Sequence, residues 1–440
     1  MTRKEKEKNP RKADKCNEEK RVKYTALKGV HDILPPDIYI WQKAESTARE
    51  IFSAYGFQEI RIPIIESTDI FARSIGETTD IVEKEMYTFP DRADRSITLR
   101  PEGTAPVVRS YIENHLYNLP SPQKFFYSGP MFRYERPQKG RFRQFYQIGV
   151  EAFGTAEPKL DAEIISMLKL FLEKLQLKEL KFEVNSIGCS KCRPDYKKAL
   201  LNFLSDKVSD LCPDCSRRYI NNPLRILDCK NSSCAEIRKG SPKITDYLCK
   251  ECKSHFEEFL SLLNILNISY NINPDMVRGL DYYTRTTFEI TSPEQLGGAQ
   301  KTVAAGGRYD RLVEEFGGPP TPAIGFAIGM ERLVEILKAL NSDFCIPAPK
   351  VFIATIGKNA GLEGLLIAEK LRSKGIRAEL GYDNASLKSQ LRRADKLGSN
   401  YVFIIGDDEL QSGMVKWKNL KDGSQGETGI KDATEFKGLY

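Results

Sequence analysis

Apolar and polar positions along the chain alternate with two periods, and these divide it into helices and strands. From Pro36 to Tyr55, Trp41, Ala44, Ala48, Ile51 and Tyr55 recur at helical spacing; a proline opens the run and Gly56 closes it, which predicts an amphipathic helix. Phe57 to Ile65 reads as a strand interrupted at Pro63, suited to an edge or interface because proline offers no N–H to a sheet. Phe125 to Glu151 reads as two apolar strands whose connection separates Phe132 from Arg141 by eight residues. Hairpins usually close with about two to five. On its second strand, alternation puts Tyr146, Ile148, Val150 and Ala152 on a core face and Phe145, Gln147, Gly149 and Glu151 on the other. That second face fits either a solvated surface or a ligand site in which Gly149 leaves room between Gln147 and Glu151.

Further along, Asp161–Leu175 predicts a helix and Leu180–Val184 a strand. Residues from Gly188 to about Asn267 abandon the strand pattern for two helical stretches, which predicts an inserted domain. Strand character returns at Arg278–Ile290 and Thr302–Ala305, and a strand followed by a helix occupies Ala323–Leu340. Pro347-Ala-Pro349 marks a boundary. Beyond it come strand Val351–Ile356, helix Gly361–Lys374, strand Arg377–Leu380, helix Ser386–Leu397 and strand Tyr401–Ile405. Such alternation predicts a small parallel or mixed α/β domain. The expected organisation is a tail over 1–23, a main domain over 24–345 with an insertion at about 188–267, and an α/β domain over 350–440.

Composition narrows the classes. The chain's 440 residues give room for two or three domains, and no apolar run approaches a membrane span. Residues 1–23 hold ten Lys or Arg and five Asp or Glu, which predicts a disordered tail and argues against a secretory signal. That tail carries +5 of the formal +7, so net charge says little about nucleic acid and local patches must carry that argument. Histidine is confined to His31, His115 and His255, none in a nucleophile or HExxH motif, so triad hydrolases and histidine-based metalloproteases are poor candidates.

Of ten cysteines, eight fall within residues 189–252, as the close pairs Cys189/Cys192, Cys212/Cys215, Cys229/Cys234 and Cys249/Cys252. In a reducing compartment such pairs suit structural zinc, two thiolates from each of two turns completing a tetrahedron. The plainer alternative is a set of cysteine-rich turns without metal. In the long hairpin connection, Arg136, Lys139, Arg141 and the following Arg143 face one acid, Glu135. On the predicted helix Ser386–Leu397, Lys388, Arg392 and Lys396 share a face with Asp395 turned aside, a phosphate-contacting stripe or a solvated one. Arg332, in a first helical turn, opposes the macrodipole and needs an anion: Glu331 beside it, or a nucleotide phosphate.

The segment GPMFRYERPQKGRFRQFYQ resembles motif 2 of class II aminoacyl-tRNA synthetases, in the form found in histidyl-tRNA synthetases. The resemblance runs from Lys28 to the last strands of the chain. The first helix and its Pro-interrupted strand look like motif 1, which implies a homodimer, and Ala323-Ile-Gly-Phe-Ala-Ile-Gly-Met-Glu-Arg-Leu resembles motif 3. Arg278-Gly-Leu-Asp-Tyr-Tyr resembles the histidine-specific signature and is the most discriminating string; Thr98-Leu-Arg-Pro-Glu-Gly-Thr104 and Ala305-Gly-Gly-Arg-Tyr-Asp310 resemble two further family segments. What the resemblance implies is an α+β fold: a class II antiparallel-sheet catalytic domain with a Cys-rich insertion, and a C-terminal α/β anticodon-binding domain.

The implied activity is ATP-dependent formation of histidyl-adenylate and transfer to the 3′ end of histidine tRNA, with Mg2+ on the triphosphate, in the cytoplasm. Arg133 and Arg278 would act at the α-phosphate, Arg133 also at the substrate carboxylate, and Arg332 at the γ-phosphate. Phe145 would stack on adenine, with Glu135 and Arg141 at the nucleotide. Glu102, Gly103 and Thr104 would receive the ammonium. Gln147, Glu151, Tyr282, Tyr283 and Tyr309 would surround the imidazole, whose two nitrogens need a carboxylate and neutral partners. Arg136, Gln138 and Arg143 would meet the acceptor end of tRNA, and Lys388, Arg392 and Lys396 its anticodon arm. Two other readings compete: a synthetase-like regulatory subunit of histidine biosynthesis that charges no tRNA, and a zinc module binding nucleic acid.

Overall fold

Strands of alternating polarity need a partner layer on their apolar face, and this chain supplies it with helices from four separate segments. The computed structural model describes residues 24–75, 79, 81–137, 140–177, 179–229, 231–293, 302–340, 348–382 and 385–439. The predicted tail, Gln138 and Lys139 of the hairpin connection, and Pro347 lie outside the described residues. The chain divides into two compact units, Met1–Phe344 and Cys345–Tyr440.

In the first unit the strands are β1 (Gln58–Glu59), β2 (Ile65–Ser67), β3 (Tyr87–Pro90), β4 (Ser96–Leu99), β5 (Gln123–Phe132), β6 (Gln144–Phe153), β7 (Lys181–Ser186), β8 (Asn271–Ile272), β9 (Thr284–Thr291), β10 (Thr302–Arg308) and β11 (Ala323–Gly329). Eight of them form one sheet in the order β1-β5-β6-β11-β10-β9-β7-β8, and β2-β4-β3 form a small second sheet. The six central strands pair antiparallel, and only the short β1 and β8 pair parallel at the edges. Apolar side chains of one face (Phe126, Ile148, Val150, Ala152, Val184, Phe288, Ile324, Phe326) meet helices Asp37–Ala54, Pro158–Lys174, Lys250–Ile265 and Met330–Ala339 in the main core. The opposite face carries the polar residues of the site.

Several expected elements shift for identifiable reasons. Phe57–Ile65 is not one strand: β1 ends at Glu59 and β2 begins at Ile65, in different sheets. Around Pro63 the buried Arg100 takes the place of a sheet partner, donating from Nη1 to the carbonyls of Ile62 (2.7 Å) and Pro63 (3.2 Å). Strand β9 starts at Thr284 rather than at Arg278, so Arg278–Tyr283 is loop. Among the described residues the insertion holds four α-helices, Arg193–Leu204, Pro213–Asn221, Ser232–Ile237 and Lys250–Ile265, where two helical stretches were expected.

The second unit is a five-stranded sheet of β12 (Val351–Thr355), β13 (Ala378–Leu380), β14 (Tyr401–Ile405), β15 (Met414–Asn419) and β16 (Gln425–Gly429), in the order β13-β12-β14-β15-β16. Its first three strands are parallel and its last two antiparallel, the mixed α/β arrangement. Among the described residues no helix is long and apolar enough to cross a membrane.

Candidate active site

Strand parity builds the floor of the site. On β6, Phe145 and Gln147 point away from the main core into a cleft of about 390 Å3 whose lining also includes Glu102, Thr104, Tyr127, Arg133, Arg278, Tyr282, Tyr283, Tyr309 and Arg332. Residues from chain segments about 100, 130–147, 280 and 330 thus share one concavity, as the resemblance requires of Arg133, Arg278 and Arg332.

One end of the cleft is cationic. Arg133 donates from Nε to the carbonyl of Pro101 (2.9 Å), and its guanidinium lies 5.2 Å from the centre of the Phe145 ring. It has no ion pair with Glu151; the nearest acid is Glu135, at 4.0 Å, which Arg141 approaches at 3.2 Å. Arg332, in the first turn of helix Met330–Ala339, donates to the carbonyl of Thr302 (2.8 Å). Burial lowers its proton affinity, Arg141 and Arg133 lower it further, and Glu135 and Glu289 act against them. Glu331 does not serve as the local counter-ion alone: its carboxylate accepts the Tyr146 N–H (2.9 and 3.2 Å), and burial raises its pKa to about 7. Arg278 pairs with Glu289, stands 5.5 Å from the Tyr283 ring, and keeps a buried Nε without a hydrogen-bond partner. Four guanidinium groups in one cleft, Arg133, Arg141, Arg278 and Arg332, are donors suited to a polyanion.

The other end is a phenol-rich recess. Glu102 accepts the N–H groups of Thr104 and Ala105, both at 2.8 Å, at the start of helix Thr104–Glu113; Gly103 is the N-cap residue of that helix. Burial raises the Glu102 pKa against the pull of those bonds and of Arg133. Tyr282 lies between Tyr283 and Tyr309, its ring centre 4.7 Å from the first in a tilted contact and 5.6 Å from the second in an edge-on one. Gln147 faces them with a buried Oε1 that has no partner. Glu151 lies one layer deeper, 1 % exposed, accepting from Thr104 Oγ1 (2.7 Å), from Tyr309 Oη and from Tyr127 Oη (3.4 Å). It reaches the cleft through those hydroxyls, and burial pushes its pKa up to about 8.

The space expected above Gly149 is filled. Tyr127 is paired with Gly149 across the hairpin, and its ring covers that position so closely that a Cβ there would stand 2.3 Å from its hydroxyl. The glycine therefore admits an aromatic wall rather than a ligand. Tyr127 and Glu289 are the site residues that sequence reasoning missed. Glu289 had a signal, as the lone acid of Thr286–Thr291; Tyr127 becomes visible only when the hairpin register is known.

Of the expected tRNA contacts, Arg136 is exposed, Arg143 stacks its guanidinium 3.9 Å from the Tyr134 ring centre, and Gln138 is outside the described residues. In the second unit Lys388 and Arg392 line one surface hollow on helix Leu387–Lys396. Asp395 lines it too, so it is not turned aside: residues three and seven positions apart share a helix face. Lys396 is exposed and lies outside that lining. In the insertion the eight cysteines gather into two groups, Cys189/Cys192/Cys249/Cys252 and Cys212/Cys215/Cys229/Cys234, with the four sulfurs of each within 4.8 Å of one another.

Residues 29–333 match the family model described as histidyl-tRNA synthetase, and residues 350–436 match the one described as anticodon binding domain. Among curated relatives, the histidine–tRNA ligase of Thermodesulfovibrio yellowstonii is 57% identical over 94% of this chain and 98% of its own length. That of Syntrophotalea carbinolica is 51% identical over 91% and 95%. Among solved structures, the apo histidyl-tRNA synthetase of S. aureus superposes with a TM-score of 0.80 at 38% identity, covering 94% of this chain and 100% of that one.

Proposed function

The chain belongs to the histidyl-tRNA synthetase family, and from that premise we propose that its cleft activates L-histidine with ATP and passes it to the 3′ end of histidine tRNA. An oxygen of the histidine carboxylate attacks the α-phosphorus. The bond to the bridging β-phosphate oxygen breaks, and pyrophosphate leaves with that electron pair. A ribose hydroxyl of the terminal adenosine then attacks the acyl carbon and AMP departs. Anionic groups meet throughout, so fixed cations matter more than an acid–base pair.

Arg133 and Arg278 hold the α-phosphate, with Arg133 also on the carboxylate, and Arg332 holds the γ-phosphate. Phe145 offers its ring to adenine. Glu102 and Thr104 receive the ammonium, while Gln147, Tyr283 and Tyr309, the last backed by Glu151, surround the imidazole. The observation that carries this reading is the shared cleft of Arg133, Arg278 and Arg332 with a phenol-rich recess beside them. ATP enters as its Mg2+ complex, the exposed Lys388, Arg392 and Lys396 meet the anticodon arm, and the eight insertion cysteines hold structural zinc. A homodimer through the motif 1 segment and a cytoplasmic location complete the proposal.

The regulatory-subunit reading is not favoured: the relatives at about half identity or better over nearly the whole chain are named as ligases. A stand-alone zinc module leaves the arginine cleft without a purpose. Incubation with ATP, Mg2+, labelled histidine and bacterial tRNA tests the proposal. Acid-precipitable histidine is expected, and its absence with a folded protein overturns the reading.

A further inference from the structure

The insertion has a thin core for its length. Its buried cluster comprises Tyr196, Leu200, Leu204, Leu211, Ile226, Leu227 and Ile244 together with Cys215, Cys229 and Cys234. A module that buries so little usually needs a covalent or metal staple. All eight cysteines are free thiols. Their sulfurs are spaced for a shared ion: Cys189 to Cys192 is 3.6 Å, Cys189 to Cys249 is 3.9 Å, and Cys212 to Cys229 is 3.8 Å. A tetrahedron with Zn–S bonds of about 2.3 Å has edges of about 3.8 Å. Two of the sulfurs also accept main-chain N–H groups, Cys192 from Cys249 (3.1 Å) and Cys234 from Cys212 (3.3 Å), as thiolates on a metal do.

Each group of four flanks a side chain that grips the loop Arg278–Tyr283. Arg193 follows Cys192 directly, and its Nη2 donates to the carbonyl of Tyr283. Asn222 and Arg225 lie between Cys215 and Cys229. Asn222 Nδ2 donates to Asp281 Oδ1 (3.2 Å) and Arg225 Nη1 to the carbonyl of Gly279 (2.7 Å). Val277, just before the loop, packs into the insertion's own apolar cluster. The loop has no sheet partner of its own, so these contacts set where Arg278, Tyr282 and Tyr283 stand.

We infer that the insertion carries two zinc ions, one in each four-thiolate cage, and that by fixing Arg193, Asn222 and Arg225 they lock the Arg278–Tyr283 loop in its histidine-binding form. The inference rests on reading the cleft as the histidine site. Arg193, Asn222 and Arg225 are positioning residues, since none of them lines the cleft.

Elemental analysis of the purified full chain should find two zinc ions per chain, with one lost in Cys229→Ser/Cys234→Ser and the other in Cys249→Ser/Cys252→Ser. Amide hydrogen exchange at 278–283 should speed up when zinc is chelated. Because the cysteine variants could fail to fold, Arg225→Ala is the second arm. It should keep both zinc ions yet speed amide exchange at 278–283 and raise KM for histidine about tenfold in pyrophosphate exchange, the loss expected for one charge-assisted hydrogen bond. Zinc-free protein whose loop stays protected overturns the inference. So does an Arg225→Ala enzyme whose loop stays as protected as in the unaltered protein and whose KM for histidine is unchanged. Absence of histidine-dependent exchange in the unaltered protein overturns the ligase reading instead, and the zinc count and loop protection still decide the clamp.

Discussion

Glu151 sits between Thr104, Tyr127 and Tyr309 with no cation paired to it among the described residues, and burial holds its pKa at about 8 against an ordinary 4.5. A buried acid that keeps its proton in the folded state and loses it on unfolding makes stability fall as pH rises, because unfolding then releases protons. Glu331, raised to about 7, acts in the same direction. His255 acts oppositely: burial lowers its pKa from 6.5 to about 4, so its contribution rises with pH and is complete by about 6.5. Between pH 6.5 and 8 the carboxyls dominate, and urea midpoints should decline across that window. Glu151→Gln should flatten the decline, and a wild-type midpoint that climbs there would refute the assignment. Parity along β6 is enough to place Gln147 and Glu151 on one face without coordinates. The depth of Glu151 was not legible, because the residue covering it, Tyr127, comes from the neighbouring strand.

Among the elements, β10 is fixed by a buried ion pair. Arg308, 0 % exposed, donates from Nε to Asp161 Oδ2 (3.0 Å) and from Nη1 and Nη2 to the carbonyls of Thr155 and Glu157 (both 3.0 Å). The next residue is Tyr309, so helix Pro158–Lys174 positions a wall of the phenol-rich recess through this pair. Asp161→Ala leaves the buried guanidinium with Asp310, at 3.2 Å, as its one remaining carboxylate among the described residues and should cost about 3 kcal/mol in chemical denaturation. A cost under about 1 kcal/mol would mean that water replaces the pair. Register makes a second demand: a Cβ at Gly149 meets the Tyr127 ring. Gly149→Ala should destabilise by about 1–3 kcal/mol and raise KM for histidine; unchanged histidine KM would show that Tyr127 is not part of the recess. Long periodic elements were legible in the sequence, since the helix at Asp37–Ala54 and strand β14 fall where the pattern puts them. The stretches that misled, Phe57–Ile65 and Arg278–Tyr283, are held by the side chains of Arg100, Arg193 and Arg225 from distant segments. No local pattern records such partners.

In the molecule as a whole, every residue lining the arginine cleft belongs to the first unit, while the Lys388 and Arg392 hollow belongs to the second. Adenylate formation should therefore survive removal of residues 345–440, while kcat/KM for tRNA should fall about a hundredfold as the second set of contacts is lost. A truncated protein that charges tRNA as well as the full chain would contradict that division. The central claim is that guanidinium groups from three distant segments act together on one triphosphate next to bound histidine. Histidine-dependent exchange of pyrophosphate into ATP, compared across Arg133→Ala, Arg278→Ala and Arg332→Ala, tests it most directly. Each substitution is expected to lower the exchange by about a hundredfold or more, with all of the wild-type signal requiring histidine. Exchange that persists without histidine, or that any of the three variants leaves at the wild-type level, would contradict it.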